Sequence, residues 1–129
     1  MPTIKRFEDL EAWKISRELT KEVCRVTKNE LFYRDYGLRD QICRASVSIM
    51  SNIAEGFERD GNKEFANFLS IAKGSSGEVR SQLYVALDQN YISENEFNLI
   101  YNKAAQNSRV ISGLMNYLNQ TDIRGTKFK

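Results

Sequence analysis

The stretch Ile71-Ala72-Lys73-Gly74-Ser75-Ser76-Gly77-Glu78-Val79 decides how many pieces this chain can fold into. By itself, Gly-Ser-Ser-Gly is a flexible linker, a phosphate-cradling loop, or a run of small residues inside a helix. Phase separates these readings. Ala72 and Val79 stand seven residues apart on either side of the glycines, so the apolar face resumes within about 20° of where it stopped. A loop has no reason to keep that register. A phosphate loop would follow a β-strand and carry GxxxxGK[ST], and this stretch has neither. A superficial likeness to the GxxG of a KH domain fails because the flanks are helical and no strands surround it. The residues therefore predict one continuous helix over 62–90. Two glycines inside it cost about 1 kcal/mol each relative to alanine. The expected compensation is close approach of another helix over Gly74, Ser76 or Gly77.

The same period runs through the rest of the chain. Ala12, Ile15, Leu19, Val23 and Val26 share one face of a helix over 9–28, flanked by Leu10 and Trp13. "NELFYRDYG" interrupts the pattern. Leu38, Ile42, Ala45, Ile49 and Ile53 then mark a helix over 36–57. Asp60-Gly61 reads as a turn, with Asn62 as cap of the third helix, whose stripe is Phe65, Leu69, Ala72, Val79, Leu83 and Ala86. Ser93 with Glu96 forms a capping box that opens a fourth helix over 93–119. Its seam, Phe97, Ile100, Ala104, Ile111, Leu114 and Leu118, is interrupted only by Asn107. A single proline and seven glycines leave little material for the turns of an all-β fold. The fold class predicted is all-α, an antiparallel up-and-down four-helix bundle in one domain spanning 1–129, with frayed tails at about 1–6 and 121–129.

The chain has no histidine. That removes Ser-His and Cys-His nucleophile pairs, the usual zinc sites, and the Glu-x-x-His pairs with which bundles hold two irons. Cys24 and Cys43 are not in metal-ligand spacing and read as small core residues in a reducing cytoplasm. No segment approaches the roughly 18 uninterrupted apolar residues of a membrane span, and the N-terminus lacks the apolar run of a signal peptide. Nearby carboxylates such as Glu55 and Glu58 at i,i+3 could share acid and base roles only in a pocket that also holds Lys73. The expectation is a non-enzyme without cofactor, metal, small-molecule substrate or membrane partner.

Three surfaces remain. Lys14, Arg17, Lys21, Arg25 and Lys28 form a basic stripe opposite the apolar face of the first helix, spaced to track a phosphate backbone. Glu11, Glu18 and Glu22 precede Lys14, Lys21 and Arg25 by three residues, which also fits a solvated, self-paired face. The net charge of +2 is thinly spread. On the second helix Gln41, Arg44, Ser48, Asn52 and Glu55 form a polar stripe, either a binding site or a hydrated face. A second apolar stripe, Cys43, Val47, Met50, Ala54 and Phe57, lies about 100 to 140° round that helix from the first. So wide an arc predicts contact on two sides, either from a central position in the bundle or from another copy of the chain.

Tyr36-Gly37-Leu38, Gln41, Ser51-Asn52-Ile53-Ala54-Glu55-Gly56, Lys63-Glu64-Phe65 and Ile71-Ala72-Lys73-Gly74-Ser75 carry a resemblance. From about Phe7 to Leu118 the chain resembles the bacterial four-helix-bundle proteins first described as products of the 23S ribosomal RNA intervening sequence. The resemblance implies an up-down bundle assembled as a homopentamer, with the glycine-serine stretch inside the third helix. It also implies kinship with the accessory variability protein of diversity-generating retroelements, a pentameric basic bundle that binds a reverse transcriptase and nucleic acid. No catalytic residues come with it. Two positions depart from the family pattern. Met50 stands where proline is usual, which puts any local kink in question, and Cys43 stands where a basic residue is frequent, leaving Arg44 without its neighbour. The function expected is an oligomeric adaptor contacting RNA or an RNA-associated protein. The alternative is a purely protein-binding scaffold.

Overall fold

The structure, a computed structural model, describes residues 4–123. A 3-10 turn at Phe7–Asp9 leads into α1 (Glu11–Val26), the one-turn α2 (Glu30–Arg34), α3 (Tyr36–Glu58), α4 (Asn62–Asp88) and α5 (Glu94–Ile123). No strand occurs among the described residues. The long helices close a ring in which α1 packs on α3 and α5, and α4 packs on the same two from the other side. Neighbours run in opposite directions. Ser48 meets Ser75 while Gly56 meets Phe65 across α3 and α4, and Ser76 meets Ala104 while Tyr84 meets Phe97 across α4 and α5. This is the antiparallel up-and-down bundle.

The apolar stripes meet at its axis. Leu19, Val23, Ile42, Ile49, Ile53, Leu69, Leu83, Ile100 and Ile111 are fully buried. Ala72 and Val79 are both buried within the uninterrupted α4, so the helix runs straight through the glycine-serine stretch. Asn107, at the break in the α5 seam, is buried and donates from Nδ2 to the Ala12 carbonyl at 3.0 Å, tying α5 to α1. The Ser93–Glu96 box forms in both directions, with Ser93 N–H donating to Glu96 Oε1 at 2.9 Å and Glu96 N–H to Ser93 Oγ at 3.1 Å.

Boundaries differ where a single residue governs the end. The first helix begins at Glu11 because Phe7–Asp9 closes a separate 3-10 turn, and it ends at Val26. The expected interruption contains α2, whose Phe32 is fully buried and stacks on Tyr91 at 5.4 Å. Asp35 caps α3 by accepting from the Leu38 N–H at 3.1 Å, and it also accepts the Tyr91 hydroxyl at 2.9 Å. Asn62 is not the cap of α4. Gly61 holds that position with φ 91°, a conformation that favours glycine, and Asn62 is buried as the first helical residue, donating to the Leu118 carbonyl at 3.4 Å. The third helix stops at Asp88, two residues early, followed by Asn90 with φ 61° and a Tyr91 N–H to Ala86 carbonyl bond of 2.8 Å. That left-handed residue closes the last turn.

Part of each expected tail, 4–6 and 121–123, lies within the described residues. Ile4 packs against the core, Arg6 lies 3.7 Å from Glu8 and 3.9 Å from Asp9, and α5 continues to Ile123. The remaining tail positions, 1–3 and 124–129, lie outside the described residues.

Candidate nucleic-acid interface

Two of the five cations of the α1 stripe are answered by acids. Lys21 stands 3.5 Å from Glu18, and Arg25 stands 2.7 Å from Glu22 and 3.6 Å from Glu96 of the α5 cap. The Glu22 hydrogen bond raises the Arg25 pKa further above its ordinary value, so the guanidinium stays charged while its field is cancelled locally. Arg17 lies over the Trp13 ring at 5.8 Å. Lys14 and Lys28 have no ion-pair partner among the described residues, so the Glu11–Lys14 pairing does not form. Exposed pairs of this kind contribute about 0 to 1 kcal/mol and are screened by salt.

The polar stripe of α3 divides in two. Gln41, Arg44 and Ser48 line an open cavity of about 430 Å³ with Glu78 and Gln82 of α4. Ser48 Oγ is 2.9 Å from Ser75 Oγ, and Asn52 Nδ2 donates to the Ser48 carbonyl at 2.8 Å and to Ser48 Oγ at 3.0 Å. Glu55 turns to Arg59 at 2.7 Å, and Arg59 also reaches Glu64 at 3.3 Å. Ser48 thus bonds across the α3–α4 seam, and Asn52 bonds back to Ser48 within α3.

The second apolar stripe is used at both ends by the chain itself. Cys43 and Phe57 pack against the core, the latter with its ring 5.9 Å from that of Phe65. Val47 is 48% exposed between them, with Met50 and Ala54 half-buried. The two cysteines are half-buried rather than core residues. Burial pushes the Cys24 thiol above its usual range and the neighbouring Cys43 adds to the shift, so Cys24 is held protonated.

The glycines of α4 do not receive a neighbouring helix. A Cβ at Gly74 would meet nothing within 4 Å, and one at Gly77 would meet only Arg80 Nη2 at 3.8 Å. Of the three expected contacts the structure brings in Ser76 alone, fully buried and donating to the Ala104 carbonyl at 3.0 Å. The reason is phase. Ser75 and Ser76 share the inward arc with Ala72 and Val79, and the flanking glycines fall outside it. Close approach occurs at Gly56 instead, where a Cβ would lie 2.7 Å from Phe68 Cβ and 3.0 Å from Phe65 Cδ1.

Outside the α4–α5 seam lies a groove of about 510 Å³, lined by Lys73, Arg80, Ser108, Arg109, Ser112 and Asn116. Sequence reasoning missed it. Lys73 and Arg80 stand seven residues apart on one helix, and Ser108, Ser112 and Asn116 repeat by four on another. Either signal alone is an ordinary polar face. Lys73 therefore opens onto this groove, while Glu55 is engaged with Arg59. No described helix is long and apolar enough to cross a membrane.

Residues 8–113 match the family described as 23S rRNA-intervening sequence protein. A crystal structure from Bacteroides thetaiotaomicron, described as a protein with unknown function from the S23 ribosomal protein family, has a TM-score of 0.74 to this chain at 21% identity, covering 81% of this chain and 97% of its own. That likeness concerns the fold. No curated protein matches the chain.

Proposed function

Because the chain belongs to the 23S rRNA-intervening sequence protein family, we propose that it is a non-enzymatic, oligomeric helical adaptor contacting RNA or an RNA-associated protein such as a reverse transcriptase. The observation that carries this reading is that many cations have no carboxylate partner among the described residues, Lys14 and Lys28 on α1, Lys73 and Arg80 on α4, and Arg109 on α5 among them. A bundle with a net charge of only +2 that leaves these groups unpaired retains local positive potential, and assembly into a ring would multiply it. The centre of the second α3 stripe, Val47 with Met50 and Ala54, is the surface we assign to contact between copies.

Two measurements test this reading. Light scattering on the purified chain should give a mass several times 14.9 kDa, and a clean monomer removes the oligomer. Binding of a structured RNA should weaken steeply with added salt, and the absence of any salt dependence removes the RNA contact. The scaffold alternative is favoured if a protein partner stays bound after nuclease treatment while RNA binding is absent.

A further inference from the structure

We propose that the groove between α4 and α5 is a phosphate-binding site that seats the sugar–phosphate backbone of RNA, and that the α1 stripe contributes only long-range attraction. This inference deepens the reading of the protein as an RNA-contacting bundle and rests on it for the identity of the ligand.

Charge is the first argument. Lys73, Arg80 and Arg109 line one open groove whose lining includes no Asp or Glu among the described residues. On α1, by contrast, Glu18, Glu22 and Glu96 stand against Lys21 and Arg25. Cations gathered without an acid among them keep a local positive field that neighbouring carboxylates partly cancel on α1. The Arg80 side chain is half-buried and has no carboxylate partner among the described residues. Its Nε is buried with no hydrogen-bond partner among the described residues, and its Nη2 lies beside the bare backbone of Gly77. Its charge is left uncompensated.

Neutral donors and space complete the site. Ser108, only 8% exposed, and Ser112 and Asn116 add hydroxyl and amide donors along the α5 wall. Side chains of this kind contact phosphate and sugar oxygens and carry no sequence code, so the groove should tolerate many RNA sequences. At its edge a Cβ on Gly113 would meet nothing within 4 Å, which leaves room for a ligand.

The test compares variants of the full-length protein binding a short labelled RNA hairpin across a salt series. Circular dichroism and mass in solution check that each variant is assembled. Lys73→Glu with Arg109→Glu changes the net charge by as much as Lys14→Glu with Lys28→Glu, so a pure net-charge effect predicts equal losses. The groove pair should lose about tenfold or more in affinity, and its log–log salt slope should flatten by about 1.5 to 2. The α1 pair should lose less than about threefold, since it acts at Debye range. Gly113→Leu, which fills the groove without altering charge, should also weaken binding. Equal losses from the two pairs, or wild-type affinity in both groove variants, overturn the proposal and leave the RNA reading intact. If the wild-type protein binds no RNA, that reading fails. In that case thermal stabilisation by inorganic phosphate or adenosine monophosphate, lost in Lys73→Glu with Arg109→Glu, sustains the groove as a site for free phosphate groups. Absence of that stabilisation overturns it as well.

Discussion

Helix α4 meets its two neighbours in opposite ways. Toward α3 it is pressed home: Phe65 and Phe68 crowd against the bare Gly56, Ser75 bonds Ser48, and Arg59 of the α3–α4 turn lies over the Phe68 ring at 5.0 Å. Toward α5 the inner contact is the buried Ser76 bonded to Ala104, and nearer the surface the exposed Tyr84 ring lies 4.9 Å from that of Phe97. The outer edge of that second seam stays open and cationic. Glycine thus serves two ends in one bundle. At position 56 it removes a side chain so that two helices can touch. At 74 and 113 it sits where nothing touches, and the helix gives up stability there without gaining a packing contact. Residues that cost stability without a structural return are expected near a functional surface.

The largest expected effect tests the tight seam. Gly56→Ala forces a methyl group into Phe68 and should destabilise the fold by about 1 to 3 kcal/mol in urea denaturation, the range for overpacked cores. A neutral result would mean that the α3–α4 contact yields freely and that the two seams do not differ. Next, Ser76→Ala removes the buried hydroxyl bond to Ala104 and should lower stability by about 1 kcal/mol. This variant sharpens the comparison by showing how much of the α4–α5 seam rests on its inner contact. Smallest and opposite in sign, Gly74→Ala should raise stability by up to about 1 kcal/mol, since alanine favours the helix and meets no neighbour. Destabilisation by Gly74→Ala would place an unseen constraint on the open side.

Periodicity made the helices legible because burial of one face is a property each helix declares alone. Ala72 and Val79 announced an unbroken α4, and Ser93 with Glu96 announced the start of α5, from local spacing only. α2 escaped because five residues are too few to show a period, and Asp35 escaped because its second partner, Tyr91, is distant in sequence. The candidate site was less legible for a related reason. Spacing identifies which face a residue occupies and leaves the distance to the opposing helix open, so the contact expected at Gly74 and Gly77 belonged to Gly56. The α1 stripe stood out because its cations follow one another along one helix. Its partial neutralisation by Glu96 depended on where α5 begins in space. The groove combines Lys73 and Arg80 with Arg109 from a separate helix, and only the register of the two helices brings them together.

Lysine footprinting of the RNA-bound, full-length protein tests the functional asymmetry most directly. Lys14, Lys28 and Lys73 are all solvent-exposed in the single chain, so each reports its own occupancy when the RNA-bound and RNA-free assemblies are compared. Saturation with RNA should protect Lys73 severalfold while Lys14 and Lys28 keep their reactivity. Protection of the α1 lysines with Lys73 left reactive would contradict the account.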